Sequence, residues 1–343
     1  MIFSNTLLPV ESEERVLESS IHCPQLALSF INDSVDQWEF DVFVFNELSE
    51  GKPLKTLSYV LFEKYKFFST FKVDISMFFR YIDMIESKYE NNPYHNHIHA
   101  TDVLQTVHSL VTNHNLIELL TIEDCFILLL SAVVHDVQHP GVNNSFMINS
   151  SSPLALKYND MSVLENMHCY VAFSTMLEKD LNILNGFSRD QYRRVRSGII
   201  STVLATDMAK HYEYITKFKN KISGNGFSIN DVKDRQLIMD MTIKCADISN
   251  PSKPHYIAYK WSNLILDEFF QQGDKEKKLG IPVSMFMDRQ STNMAKCQLG
   301  FIDYIVLPLY EAWDLYMVEN GDHRYLDNIH SNRDYWEEEI KRH

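Results

Sequence analysis

The sequence predicts an all-α fold, a single compact unit of many helices. Three observations lead there. Turn formers are sparse, with ten glycines and ten prolines in 343 residues. No Asn-Gly or Asp-Gly turn separates two alternating apolar runs. Apolar residues recur three and four apart over long stretches, the period of a helix with one buried face.

In chain order, the apolar run Cys125 to Val134 could be a buried strand or a buried helix on periodicity alone, and its length and neighbours favour a central helix. Ser162 with Glu165, and Ser188 with Gln191, have capping-box spacing, and each opens a long periodic stretch. Ser228, followed by Asp231, opens another that runs to Cys245. Looser segments at 149–160, 222–230 and 273–288 are too short and unbiased to be interdomain linkers. The chain carries no internal repeat.

Composition narrows the function classes. At 343 residues, one domain with lobes or two domains are both allowed. A hydrophobic content of 45% with 23% charged residues is ordinary for a globular protein, and no segment reaches the length of a membrane span. The start, Met1 to Pro9, lacks a basic n-region and is followed by Glu11, Glu13 and Glu14, unlike a secretory signal. Five scattered cysteines, at 23, 125, 169, 245 and 297, form no Cys-x-x-Cys pair and fit a reducing cytoplasmic setting. Glycosylation-type tripeptides at Asn32, Asn143 and Asn149 are then chance matches. A net charge of −14 argues against a nucleic-acid binder. An anionic substrate stays possible, because bound divalent cations reverse the local potential.

Chemistry concentrates in one stretch. Seven of the fourteen histidines, His95, His97, His99, His108, His114, His135 and His139, lie between positions 95 and 139, and neutral imidazole is the commonest zinc ligand. On a helix, His95 with His99 and His135 with His139 would each share a face. His135-Asp136 ends an apolar helix, so it is delivered inward, where a carboxylate needs a partner such as a cation. His97 is placed to point away, and His108 and His114 read as core or capping histidines. Two histidines and one aspartate under-coordinate a cation. Asp247, among small and apolar neighbours, is the best further carboxylate.

Six ordered motifs then resemble the class I cyclic-nucleotide phosphodiesterases of the His-Asp phosphohydrolase superfamily. They are Tyr94-His95-Asn96 with His99, His135-Asp136 with His139-Pro140-Gly141, Leu164-Glu165-Asn166, Thr206-Asp207-Met208, Ala246-Asp247-Ile248-Ser249-Asn250-Pro251, and Gln298 with Phe301-Ile302-Asp303. The resemblance implies about sixteen helices in three packed subdomains around a deep pocket. It implies a catalytic domain over residues 40–340, preceded by a helical or partly extended lead-in over 1–39, with regulatory domains or partners outside this chain.

The resemblance further implies two divalent metals. Zn2+ at the tight site would take His99, His135, Asp136 and Asp247, and Mg2+ or Mn2+ at the second site would share Asp136. His139, Glu165, His168 and Thr206 would orient the waters. The metals would activate a bridging hydroxide to cut a 3′,5′-cyclic nucleotide to its 5′-monophosphate. His95 would be the general acid, held protonated by Glu268, a residue that otherwise reads as a solvated helix position. Gln298 would meet the base edge with its amide, with Phe301 and Ile265 on the two faces of the base, and a core role is the ordinary alternative for that pair. Asn250 leans the substrate towards cAMP, with cGMP possible. Tyr94, Met208 and Phe269 would line the pocket.

One departure stands out: Met167 replaces the first histidine of the family string Leu-Glu-Asn-His-His, while His168 is kept. The alternatives to the phosphodiesterase reading are another His-Asp nucleotide phosphohydrolase and a catalytically silent cyclic-nucleotide sensor.

Overall fold

The computed structural model describes residues 23–113, 116–317 and 323–342. His114 and most of the lead-in, residues 1–22, lie outside them. Every regular element among the described residues is helical. The α-helices run α1 Gln25–Ser34, α2 Val42–Leu48, α3 Pro53–Lys64, α4 Phe67–Phe71, α5 Ile75–Ser87, α6 His97–Asn113, α7 Ile122–Val134, α8 Asn144–Asn149 and α9 Pro153–Tyr158. They continue as α10 Val163–Met176, α11 Arg189–Leu204, α12 His211–Ser223, α13 Val232–Asp247, α14 His255–Leu279, α15 Met294–Phe301, α16 Leu307–Met317 and α17 Arg324–Arg342. A π turn, Ile302–Val306, joins α15 directly to α16.

Helix α7 is the axle of the molecule. All its residues from Asp124 to Val134 are buried, as expected for a helix that is apolar all round, and it packs between α6, α11 and α13. Its start is fixed by a capping box in which Thr121 and Asp124 exchange hydrogen bonds. Asp124 also accepts from Arg194 and Arg235, each at 2.6 Å, so one buried carboxylate pins the starts of α7, α11 and α13 together. The core around this axle is one continuous cluster reaching from Ala27 and Ile31 of α1 to Trp336 of α17.

Local expectations fared unevenly. The Ser188–Gln191 capping box is present. Ser162 instead sits in the left-handed region at φ 42° with no capping bond, and its hydroxyl donates to Asp207 Oδ2. The helix expected from Ser228 is capped by Asp231 and runs through Asp247. The loose segment expected at 273–288 is partly helical, because α14 continues to Leu279, and 149–160 contains α9.

Two of the paired-histidine expectations also fail. His95 precedes α6, whose first residue is His97, so His95 and His99 do not share a helical face. Helix α7 stops at Val134, with His135 at its C-cap, and Gln138 at φ 65° and Gly141 at φ 65° turn the chain sharply. His95 and His99 meet through a turn, with ring centroids 5.7 Å apart, while His135 and His139 go to different groups.

Candidate active site

Three helix ends converge on one point. Asn96 Oδ1 accepts from the backbone N–H groups of Ile98 and His99, which starts α6 and places His99 in its first turn. His135 caps the inner end of α7, and its Nδ1–H donates to Ala132 O at 2.9 Å, leaving Nε2 as the free lone pair. Asp136 follows, and Asp247 is the last residue of α13.

His99 Nε2 lies 3.4 Å from Asp136 Oδ2 and 3.2 Å from Asp247 Oδ1. The corresponding distances from His135 Nε2 are 3.2 and 3.4 Å, and the two Nε2 atoms are 3.3 Å apart. The four donor atoms all lie within 4.8 Å of one another, and a regular tetrahedron with edges like the five above has its centre about 2 Å from each vertex, a zinc–nitrogen or zinc–oxygen bond length. Two imidazole nitrogens and two carboxylates gathered at one point fit a divalent cation. Burial works against ionising Asp136 and Asp247, but the histidines beside them outweigh it and hold both carboxyls well below the usual range.

Beside this tetrad lies a second constellation. His95 Nδ1 is 2.5 Å from Glu268 Oε1, too close for a cation between them and right for a shared proton. Glu268 Oε2 accepts from the backbone N–H groups of Tyr94 and His95, both at 2.9 Å, so the carboxylate is held from two sides. Burial disfavours an imidazolium, yet Glu268 outweighs it and raises His95 to about 9. Against the same burial, His95 lowers Glu268 to about 2. Glu268, 4% exposed, is therefore not the solvated helix position that spacing alone suggests.

The neighbours are tuned oppositely. The His139 ring stacks on His95 with centroids 4.0 Å apart, and burial together with the His95 charge holds it neutral. Gly141 N–H donates to His139 Nδ1 at 3.1 Å, so the ring proton sits on Nε2. His168 Nδ1–H donates to Val137 O at 2.7 Å, while its buried Nε2 has no hydrogen-bond partner among the described residues and lies 3.6 Å from Asp136 Oδ1. Burial raises Glu165 to about 7, and Asn144 Nδ2 donates to both its oxygens. The Thr206 hydroxyl donates to Val203 O, leaving its lone pairs available.

The remaining expected residues are more dispersed. Tyr94 packs its ring 4.7 Å from that of His99, and its hydroxyl donates to Asn250 Oδ1 at 2.5 Å. Asn250 Nδ2 donates to Asp102, so the protein itself engages both ends of this amide. Gln298 on α15 is buried, 6% exposed, yet its amide has no hydrogen bond among the described residues. Phe301 follows it one turn on, and Ile265 and Phe269 flank Glu268 on α14. All three are half-buried, whereas Met208 is 43% exposed. None of Thr206, Gln298, Phe301, Ile265, Met208 or Phe269 bonds to the tetrad. His97 and His108 stay outside both constellations, and His108 is a core histidine between Tyr65 and Asp36.

Several supports had no role in the sequence reading: Asn96, quoted there only as part of a motif, and Asn92, Asp102, Asn144 and Trp261, whose ring lies 5.1 Å from Tyr94 and 5.9 Å from His99. Asn96 follows His95 directly and has cap chemistry ahead of α6, a signal that was available. Of the others, Asp102 and Trp261 act across more than a hundred residues, Asn92 across as many as 47 and Asn144 across about twenty.

The family model for 3′5′-cyclic nucleotide phosphodiesterase matches residues 94–328, the stretch that carries the tetrad and the His95–Glu268 pair. The chain belongs to this phosphodiesterase family. It is 39% identical over 301 residues to the 3′,5′-cyclic-nucleotide phosphodiesterase regA of Dictyostelium discoideum, covering 88% of this chain and 37% of that protein. It is also 39% identical over 313 residues to the probable 3′,5′-cyclic-AMP phosphodiesterase pde-4 of Caenorhabditis elegans, covering 89% and 46%. The chain thus spans less than half the length of these relatives. A solved structure of LmjPDEB1 in complex with IBMX superposes with a TM-score of 0.87 at 30% identity, covering 98% of this chain and all of that one. The all-α phosphodiesterase fold is therefore established. Among the described residues, no helix is long and apolar enough to cross a membrane.

Proposed function

We propose that this chain hydrolyses 3′,5′-cyclic nucleotides, cAMP in preference to cGMP, to the 5′-monophosphate. The observation that carries this reading is the juxtaposition of the cation-fitting tetrad with the His95–Glu268 proton pair, their histidine rings 5.7 Å apart. A divalent cation held by His99, His135, Asp136 and Asp247, zinc by the donor set, supplies a Lewis acid for the phosphoryl oxygens and lowers the pKa of water.

The residues of the chain do the rest. His95, charged at neutral pH, presents its Nε2 proton to the cavity and delivers it to the leaving 3′ oxygen. Glu268 keeps that charge in place, with its own charge fixed by two backbone N–H groups. His139, His168, Glu165 and Thr206 orient water around the free Asp136 Oδ1, where Mg2+ or Mn2+ would be the second cation. Gln298, a buried amide with unused bonding capacity, recognises the base edge, and Phe301 and Ile265 pack on its two faces. Tyr94, Met208 and Phe269 wall the pocket. Asn250 contributes to base choice through the fixed orientation that Tyr94 and Asp102 give it.

The cAMP preference draws support from relatives named as cyclic-AMP phosphodiesterases. We place the catalytic unit at residues 40–340, its lead-in included in the same core through Ala27, Ile31 and Trp38. We assign it to the cytoplasm, in keeping with five free cysteines, and expect regulatory regions or partners beyond this chain. The test is product analysis on the purified chain with zinc and magnesium, offering cAMP and cGMP in competition. Release of AMP, faster than GMP, is the expected result. Inorganic phosphate or nucleoside as first product would overturn the reading.

A further inference from the structure

Asn92 is half-buried and outside every ligand set considered above. Its Nδ2 donates to His95 O at 2.9 Å and to His139 O at 2.7 Å. Those two carbonyls belong to two separate turns, one 3 and the other 47 residues along the chain from Asn92. A flipped amide would set oxygen against both carbonyl oxygens, so the bonding fixes the orientation. The other end of the amide is held by shape: a Cβ built on Gly141 would fall 2.6 Å from Asn92 Oδ1, and Gly141 also needs its positive φ. Gly141 N–H in turn holds His139 Nδ1. One amide therefore ties together the backbones that carry two stacked imidazoles, His95 and His139.

We propose that Asn92, seated against Gly141, is a positioning residue that sets the reach of the His95 proton donor by clamping the His95 and His139 turns together. The inference rests on the general-acid role proposed for His95. It follows from the links on the page: Glu268 holds the imidazole at Nδ1 and at the His95 N–H, while Asn92 holds the carbonyl end of the same residue. Without the second hold the residue can pivot about the first, and a displacement of about 1 Å at a reacting group costs about 100-fold in rate.

The test uses the metal-loaded chain and two substrates, cAMP and bis(4-nitrophenyl) phosphate, whose leaving 4-nitrophenolate needs no proton. Asn92→Asp keeps the shape and removes both donors. We expect its kcat on cAMP to fall about 10- to 100-fold, with KM, metal content and thermal midpoint little changed, and turnover of the nitrophenyl ester changed less than about threefold. Gly141→Ala, which pushes Asn92 from its seat, should show the same split. Equal losses on both substrates, no loss on cAMP, or loss of metal or of folding in both variants would overturn the clamp. His95→Ala is the control. If it loses cAMP turnover selectively and the Asn92 and Gly141 variants do not, the clamp fails alone. If His95→Ala shows no split, or the unaltered chain turns over no cAMP, the proposed function fails and takes the clamp with it.

Discussion

His95 and His99 stand four residues apart in one string, yet the structure uses them in opposite ways. His99 shares its Nε2 surroundings with three other donors at 3.2–3.4 Å, three nearly equal approaches where one proton could serve a single one. His95 has one partner at 2.5 Å, and between them they hold a single proton. The difference lies in the carboxylates: Asp136 and Asp247 arrive at helix ends and converge with two imidazole nitrogens, whereas Glu268 arrives mid-helix and meets the ring of His95. Equal sequence prominence therefore separates into a group that could hold a cation and a close imidazole–carboxylate pair, the two roles proposed above.

Changes on the two sides should separate too. The largest effect is expected from Asp247→Ala, which removes a donor from the tetrad: zinc content measured by atomic emission should fall with activity, and stoichiometric retained zinc would contradict the ligand set. Next comes His95→Ala, which should lower kcat about 100- to 10,000-fold with zinc content nearly intact. Loss of the metal in that variant would make His95 a ligand and erase the distinction.

Glu268→Gln probes the proton side through pH. His95 must be protonated to act, so activity should fall as pH rises through about 9. Without the Glu268 charge, burial dominates, and the alkaline limb of kcat/KM should move down by about two units or more. An unmoved limb would show that Glu268 does not hold the proton. The stability sign agrees: the raised His95 contributes stability that is full below its unfolded pKa and is lost as pH rises through about 9.

A smaller effect belongs to Gln298→Ala, which should raise KM about tenfold with less change in kcat, the mark of lost substrate binding. A variant that loses zinc instead would place Gln298 in the tetrad's support. Smallest is Met167→His, which restores the family histidine. Met167 is 6% exposed and lines a cleft of about 540 Å³ with Asn92, Gln138 and Tyr170, and it has no bond to the tetrad. We expect kcat and metal content within about twofold. A larger change would tie that cleft to the metal side.

Much of this was legible along the chain. Helical period and cap chemistry identify the Gln191 helix start and the buried run to Val134, because both depend on neighbours within one or two turns. The same reasoning misjudged Ser162, whose hydroxyl finds a better acceptor in Asp207, 45 residues away. It placed His95 and His139 on helices for a related reason, since periodicity carries no information about where a helix stops. Asn92 and Asp102 gave no signal, because a lone asparagine or aspartate acquires its role only from the carbonyl or amide it meets.

The sequence by itself determined the fold class and the family through its six ordered motifs, and through that resemblance it named the four side chains that the structure brings together. These depend on residue type and local order, which the chain carries directly. The family resemblance already separated His95 from His99, and the tertiary structure supplied what the chain could not: the single close contact of His95 with Glu268, the four-donor cluster around His99, the burial of Glu268 and the engagement of Asn250. Each of these depends on distances between residues about 150 or more positions apart, set by the packing of α6, α7, α13 and α14 around one core.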